Sequence, residues 1–405
     1  MMNRRHLLAA MASATLIAST RQGFSQSNPS FKLGALNPIA GAGAAYGTGM
    51  QKMIFAAVEQ INAAGGAAGR TIEVAADDDQ SQPQAGVLAA KKLIEIDKVQ
   101  ALVGIWSSGV ALATIPLAND ANIPFMVTSG APEITSPKVN SKGLVYRFNA
   151  TGEGFGQAFA EVCAREGFKR PATMAFNNAS GVGTVEGFRK AWEKKRGKVV
   201  ESVVYEPNQP SYRSELQKVL AAKPDVIVGG SYLADTTIIM REWFQTGEAQ
   251  KWILPGWAAN ADLVKAIGPE VSEGLLAVNS VANESSSAFK SYDAAYRKAL
   301  DQSGADNVYA AMAWDMVVVL ALAIEAAGPN ADIAAINAKI KEVTNPPGAQ
   351  VSTFAEGKAA LKSGKINYEG ASSSVDFNQS SDVIPDFDLS VISGGKISRK
   401  YIVKI

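Results

Sequence analysis

Two adjacent hydroxyl side chains, Ser107 and Ser108, follow a short apolar run at 101–105 and precede a segment with helical spacing. The first backbone N–H groups of a helix have no intrahelical acceptor, and the helix dipole makes that end positive. Hydroxyls beside such N–H groups suit a small anion, in particular a carboxylate. A serine there is also a common N-cap. The two roles are compatible, so the pattern indicates a capped helix end, an anion site, or both.

Other polar or aromatic residues also follow apolar runs. Ser129 and Gly130 come after the run 124–128, and Tyr46 lies in a loop of small residues after the run 31–35. Later runs are followed by Ser231, Tyr232, Asp235 and Trp257. Ligands of open parallel sheets bind at the carboxyl ends of the strands, where such loops lie. The aromatic residues either form walls around a ligand or pack at the domain edge; the sequence leaves both open.

The elements that position these loops alternate between strand and helix. Strand-length apolar runs at 31–35, 71–75, 101–105 and 124–128 are separated by helical patterns. The alternation stops near 145–150 and restarts, with further runs at 172–176, 199–205, 226–228 and 252–254. This pattern predicts an α/β protein of two lobes, each with a doubly wound parallel sheet. The apolar segment 306–327 predicts a packed core helix.

Composition excludes several classes of function. The 405 residues carry 39 Lys and Arg against 38 Asp and Glu, a net charge of +1, which gives no electrostatic footprint for nucleic acid. The only His is His6, so no His-containing triad or zinc site is expected. The glycines of 41–47 do not have dinucleotide spacing, and 77–79 (Asp-Asp-Asp) suits a solvated turn better than a metal site. We expect no cofactor and no metal, and we expect the only Cys, Cys163, to be a buried inert thiol.

The N-terminus predicts an export signal over 1–26. Arg4 and Arg5 precede an apolar run of about 12 residues, too short for a membrane span of about 20. The paired arginines favour a twin-arginine signal over a Sec signal, although a Leu stands at the preferred Phe position. Cleavage is expected between Thr20 and Ser27, and without a nearby Cys no lipid anchor is expected. The product should be free in an extracytoplasmic space.

Several short motifs recur along the chain in an order that is typical of one protein family. They are 41–47, the segment 59–66 with Gly69 and Arg70, 77–79 with Pro83, Val103 and Gly104 with Ser107 and Ser108, 131–135, 224–230 and 375–377. With these motifs the chain resembles the Leu/Ile/Val-binding family of periplasmic solute-binding proteins, which serve ABC importers. The resemblance spans essentially all of the mature chain and is densest up to Thr135.

This resemblance implies a type I periplasmic binding fold, with two lobes joined by three crossovers near Phe148, Asn279 and Pro385. Lobe 1 would comprise 27–149 and 280–385, and lobe 2 would comprise 150–279 and 386–405. It also implies a monomer that binds a small carboxylate or amino acid in the periplasm and delivers it to an inner-membrane ABC permease. Ser107 and Ser108, with the backbone around Ser129 and Gly130, would hold the carboxylate, and Tyr46 would lie against the ligand's side chain. From lobe 2, Ser231, Tyr232 and Trp257 would cap the ligand, with Ser180 as a further candidate site residue.

Two departures from the family bear on the ligand. Ser180 and Gly181 stand where the family often has Tyr-Gly, and Gly256 and Trp257 stand near the position of the acid that holds an amino-acid ammonium. Unless Asp235 replaces that acid, an aromatic or aliphatic carboxylate becomes a candidate beside an amino acid, because a buried unpaired ammonium is costly. The alternative function is a periplasmic sensor for a membrane receptor. An enzyme is disfavoured, because the mature chain lacks His and a nucleophile motif.

Overall fold

The structure is a computed structural model that describes residues 30–405. The predicted export segment therefore lies outside the described residues. Strands are numbered β1 to β14 and α-helices α1 to α12 in chain order. The strands are β1 Phe31–Asn37, β2 Ile72–Asp78, β3 Ala101–Val103, β4 Phe125–Val127, β5 Val145–Arg147, β6 Pro171–Phe176, β7 Ser202–Tyr205, β8 Val226–Gly230, β9 Lys251–Pro255, β10 Leu276–Ser280, β11 Ala349–Val351, β12 Ile366–Tyr368, β13 Phe387–Ser393 and β14 Lys396–Val403.

The helices alternate with these strands over most of the chain. They are α1 Ala44–Ala63, α2 Pro83–Lys91, α3 Ser108–Ala121, α4 Gly152–Glu166, α5 Ala179–Lys194, α6 Arg213–Ala221, α7 Leu233–Gln245, α8 Ala261–Ser272, α9 Ser287–Leu300, α10 Val308–Ala327, α11 Ile333–Thr344 and α12 Phe354–Ala360. The chain continues beyond α2 as a π-helical turn, Lys92–Ile96.

The first sheet has the order β2-β1-β3-β4-β5, and all its pairings are parallel. Phe31, Leu33 and Ala35 of β1 are buried in one core, and Leu36 is buried in a second core with α3 residues such as Ile115. A strand buried on both faces is typical of a doubly wound sheet. The carboxyl ends of β1, β3 and β4 therefore lie side by side along one edge.

The second sheet has the order β14-β13-β10-β9-β8-β6-β7. Its five strands from β6 to β10 are parallel, as predicted, but β13 pairs antiparallel with β10 and β14 pairs antiparallel with β13. The turn at Gly394 and Gly395, both with positive φ, lets β13 fold directly back into β14, so no crossover helix intervenes. The α/β prediction is confirmed, and the second sheet is mixed rather than wholly parallel.

The chain passes between the two sheets three times, after β5, after β10 and before β13. The second and third passages are joined by a bond from Val281 N to Asp386 O of 2.9 Å. Beside them, the Arg147 guanidinium binds Asp382 at 2.9 Å, and both side chains are almost fully buried. The lobe boundaries at 149/150, 279/280 and 385/386 stay predictions.

Helix α10 is the packed core helix predicted from the apolar segment 306–327. By length and composition it could cross a membrane, but 83% of its most apolar window is buried inside the protein. Its buried Asp315 accepts hydrogen bonds from Tyr368 Oη at 2.8 Å, from Ala371 N at 2.9 Å, and from the N and Oγ of Ser372. These donors compensate the burial of the carboxyl group and fix 368–372 against the helix.

Cys163 is fully buried in α4, and burial raises the pKa of its thiol. The three carboxylates of 77–79 do not converge. Asp77 pairs with Lys92 at 2.9 Å, and Asp78 Oδ1 accepts from the backbone N of Ile39, at 2.9 Å, and of Gln80, at 2.7 Å. Between residues 30 and 405, no group of three or more His, Cys, Asp or Glu side chains is placed to hold a metal ion.

Candidate ligand-binding site

A pocket lies where the carboxyl ends of the two sheets face each other. Its empty volume is about 350 Å³, which includes space open to solvent. Both lobes and the first crossover line it. The lining residues are Trp106, Ser108, Thr128, Gly130, Asn149, Gly152, Phe155, Ser180, Thr184, Tyr232, Trp257 and Tyr309.

The N-terminus of α3 is one wall of this pocket. Ser107 is its N-cap residue, with an extended backbone, but its side chain makes no capping hydrogen bond. By contrast, α4 is capped by Thr151, which accepts from Gly154 N, and α5 is capped by Asn178, which accepts from Gly181 N. The capping role left open by the sequence is therefore not what Ser107 does, and the first turn of α3 has no side-chain cap.

The hydroxyl of Ser108 is oriented by a neighbouring loop. Its Oγ accepts a hydrogen bond from Ala131 N at 3.1 Å, which leaves its proton free to be donated elsewhere. Ser108 is 3% exposed and lines the pocket. A carboxylate in the pocket can accept that proton together with N–H groups of the α3 end.

The loop after β4 is held by the first crossover. Asn149 Nδ2 donates to Thr128 O at 3.0 Å, and Gly152 N donates to Gly130 O at 2.7 Å. Ser129 Oγ donates to Ile105 O at 2.9 Å, so its hydroxyl is occupied within lobe 1. Gly130 lines the pocket with its backbone, and Ser129 lies behind it.

Aromatic rings fill the space between the lobes. Trp106 of lobe 1 packs on Tyr232 of lobe 2 with centroids 5.1 Å apart, and it also stacks on Tyr46 at 5.9 Å. Trp257 meets Phe155 edge-to-face at 4.9 Å, and Tyr309 meets Tyr46 at 4.9 Å. Burial raises the pKa of the Tyr232 hydroxyl to about 12, against the side chains of Ser107 and Asn178, which lower it. These rings form an apolar wall between the lobes.

None of the described residues that line the pocket carries a charged side chain. Three helices nevertheless begin there: Ser108 is the first residue of α3, Gly152 is the first of α4, and Ser180 is the second of α5. Helix N-termini carry partial positive charge. The site is therefore matched to one negative charge and offers no carboxylate partner for a cation.

Two predicted site residues lie behind the pocket wall. Asp235 Oδ1 accepts from Tyr212 Oη at 2.6 Å and from Asn208 N at 3.1 Å, so this acid faces the interior of lobe 2. The Ser231 hydroxyl bonds to Tyr205, while Ser231 O accepts from Trp257 Nε1 at 3.1 Å. Both support the wall and do not line it, and Asp235 does not replace the missing acid.

Tyr46 is placed on the lobe 1 side, and its hydroxyl reaches across to lobe 2. Its Oη accepts from Asn260 Nδ2 at 3.0 Å and donates to Trp257 O at 3.4 Å. Of the predicted residues, Ser108, Gly130, Ser180, Tyr232 and Trp257 line the pocket directly. Tyr46 and Ser107 contact its aromatic walls.

The sequence did not single out seven lining residues. Trp106 directly precedes Ser107, and Gly152 opens the helix after the first crossover, so position relative to the strands could have found both. Tyr309 is far from the other lining residues in sequence, and only packing of α10 under the first sheet brings it to the pocket. The remaining four are Thr128, Asn149, Phe155 and Thr184.

A buried acid, Asp79, lies at the carboxyl end of β2. It is 0% exposed, and its Oδ2 has no hydrogen-bond partner within residues 30–405. Its pKa is raised to about 6, mainly through desolvation by burial; a bond from Ser81 N lowers the pKa, and the neighbouring charge of Asp78 raises it. The negative charge of Asp79 acts on the pKa of Tyr232. The residue is outside the pocket lining.

The family model described as "Periplasmic binding protein" matches residues 30–363. Leu/Ile/Val-binding protein homolog 3 of Brucella melitensis is 29% identical over 314 residues, covering 75% of this chain and 81% of that protein. The leucine-, isoleucine-, valine-, threonine- and alanine-binding protein of Pseudomonas aeruginosa is 28% identical, covering 80% of this chain and 84% of that protein.

Solved structures share the fold. The leucine-binding protein LivK of Thermotoga maritima superposes with a TM-score of 0.79 at 21% identity, covering 92% of this chain and 99% of that one. A solute-binding protein of an R. palustris ABC transporter, in complex with benzoate, gives 0.72 at 22% identity, covering 92% and 96%. This family consists of solute-binding proteins rather than enzymes. The chain belongs to the periplasmic binding protein family, as a type I member of its Leu/Ile/Val-binding branch.

Proposed function

We propose that this protein is the periplasmic solute-binding component of an ABC importer. It binds a small monocarboxylate with an uncharged, aromatic or apolar body, closes over it as a monomer, and delivers it to an inner-membrane permease. The same proposal includes export by a twin-arginine signal, cleavage of that signal, and a mature protein without a lipid anchor.

The observation that carries the proposal is the uncapped N-terminus of α3 at the pocket. Its N-cap residue, Ser107, leaves the N-terminus without a side-chain cap, and Ser108 presents a free hydroxyl proton beside it. Backbone N–H groups and a hydroxyl at a helix N-terminus bind a carboxylate without a basic side chain. The residues that line the pocket include no basic side chain.

The body of the ligand is inferred from the rest of the lining. An α-amino acid also brings an ammonium group, which needs a carboxylate partner when it is buried. Trp257 stands near the position of the family's acid, and Asp235 is engaged with Tyr212. The aromatic rings that line the pocket, among them Trp106, Tyr232 and Trp257, instead suit a ring or an apolar chain. A non-amino carboxylate is therefore the ligand class that the pocket favours.

Proteins with this fold are known in complex with both ligand classes. LivJ of Streptococcus pneumoniae was solved with isoleucine, and two solute-binding proteins from R. palustris were solved with benzoate and with 3,4-dihydroxybenzoic acid. The fold therefore admits either class, and the choice depends on the residues of the pocket.

Closure follows from the position of the pocket between the lobes. A ligand that contacts Ser108 on one side and Trp257 on the other binds the closed form more tightly than the open form, and so shifts the equilibrium towards closure. The closed pair of lobes then presents a surface that a permease distinguishes from the open form.

A thermal-shift panel on the mature chain tests the proposal. The panel comprises amino acids, aromatic carboxylates, short-chain acids and the corresponding amides. A ligand bound only by the folded state raises the melting temperature. We expect shifts from carboxylates and none from their amides. A shift confined to amino acids would contradict the proposed ligand class, and turnover of a ligand would contradict a binding function.

A further inference from the structure

Two hydrogen bonds join the two lobes next to the pocket. Asn260 Nδ2 donates to Tyr46 Oη at 3.0 Å, and Tyr46 Oη donates to Trp257 O at 3.4 Å. Tyr46 lies in α1, which packs on the first sheet, whereas Asn260 and Trp257 follow β9 of the second sheet. Asn260 does not line the pocket.

The amide of Asn260 is oriented by its own helix. Asn260 is the N-cap of α8, and its Oδ1 accepts from Asp262 N at 3.0 Å and from Leu263 N at 3.1 Å. Because the oxygen is held by the helix end, the NH₂ group of the same amide points away from the helix, where Tyr46 lies. The donor is therefore fixed before the lobes meet.

Tyr46 is equally well positioned on the other side. Its ring stacks on Trp106 and meets Tyr309 edge-to-face, and its backbone O accepts from Asn307 Nδ2 at 3.2 Å. Burial raises the pKa of its hydroxyl to about 12, so the hydroxyl keeps its proton at neutral pH and can donate while it accepts. Both partners are held by their own lobe, so little side-chain entropy is lost when the contact forms.

We propose that Asn260 is a positioning residue that latches the closed form through Tyr46, independently of any ligand. Part of the free energy of closure then comes from the chain itself, so the protein samples the closed form when it is empty. A ligand therefore stabilises a closed form that the empty protein already populates, and it has to supply only part of the free energy of closure.

The test measures the distance between the lobes without ligand. Cysteines introduced at the exposed positions Asp120 and Gln217 carry a spin-label or dye pair, and buried Cys163 does not react. Asn260→Ser keeps an N-cap oxygen for α8 but is too short to reach Tyr46. Tyr46→Phe keeps the ring and removes only the hydroxyl.

We expect the unliganded wild type to show a closed population. Asn260→Ser should lower the ratio of closed to open protein by roughly two- to tenfold, as expected for one hydrogen bond. Tyr46→Phe should lower it by at least as much, because the Tyr46 hydroxyl makes two bonds to lobe 2. The double variant should be no more open than Tyr46→Phe, because that substitution alone already removes both the bond from Asn260 and the bond to Trp257 O. Melting temperatures close to that of the wild type would show that the cap of α8 survives in Asn260→Ser.

Three results would overturn the latch: a wild type without a closed population, single variants with the wild-type ratio, or effects that add in the double variant. If Asn260→Ser failed to fold, Tyr46→Phe alone would still decide the point. Because no ligand is present, the outcome does not depend on the proposed function.

Discussion

Replacing Ser108 by Ala should weaken ligand binding far more than it weakens the fold. The Ser108 hydroxyl accepts from Ala131 N at 3.1 Å and has its proton free for a carboxylate. A hydrogen bond to a charged group contributes about 1.5–3 kcal/mol, which corresponds to a roughly 10- to 150-fold increase in Kd. The lost bond to Ala131 costs about 1 kcal/mol in the free and the bound protein alike, so it lowers stability without changing Kd.

Ser129→Ala is the matched control. Ser129 is also a buried serine at the end of a first-sheet strand, 1% exposed, but its proton is donated to Ile105 O at 2.9 Å. It should lose a similar stability, about 1 kcal/mol, and keep its affinity within about twofold. Calorimetric titration with the carboxylate that gives the largest thermal shift measures both. Equal losses of affinity in the two variants would refute the assignment of the carboxylate to the α3 end.

Three further changes test other parts of the account. Trp257→Glu places an acid beside the pocket and should create binding of α-amino acids while weakening that of non-amino carboxylates; titration with leucine checks this, and unchanged selectivity would count against it. Asp79 has a folded pKa of about 6 against about 3.9 unfolded, so between pH 4 and 6 the folded state keeps a proton that the unfolded state has lost. The free energy of unfolding of the wild type, relative to that of Asp79→Asn, should therefore fall by on the order of 3 kcal/mol as pH rises through that window. Urea unfolding of both proteins at pH 4.5 and 7 measures this change, and the same difference between the two proteins at both pH values would contradict it. Arg147→Met leaves Asp382 buried without its partner and should destabilise the protein by about 3–5 kcal/mol, measured by urea unfolding; a loss under 1 kcal/mol would mean that this pair does not stabilise the crossovers.

Much of the fold and part of the site could be predicted because the signals are local. Apolar runs of strand length alternate with helical spacing, and in a parallel sheet this alone places Ser108 and Gly130 at one edge. The same logic placed Tyr232 and Trp257 at the facing edge of the second sheet, where the structure shows them lining the pocket.

The remaining features depend on contacts between distant segments. Tyr309 reaches the pocket because α10 packs beneath the first sheet, and its local sequence reads only as an apolar helix. Asp235 follows a strand just as Tyr232 does, yet it turns inward because Tyr212 offers it a buried hydroxyl. Asn260 gives only an N-cap signal in sequence, and its second role depends on Tyr46 in the other lobe. The antiparallel end of the second sheet follows from the tight turn after β13, which alternation of strands and helices does not predict.

The most direct test of the central claim compares carboxylates that differ only by an amino group. Calorimetric titration of the mature protein with 4-methylpentanoate and leucine, and with 3-phenylpropanoate and phenylalanine, isolates the effect of the ammonium. An unpaired buried ammonium costs several kcal/mol, so the non-amino member of at least one pair should bind at least about 100-fold more tightly. Leucine or phenylalanine binding as tightly as its non-amino partner, or no binding by any of the four, would contradict the account.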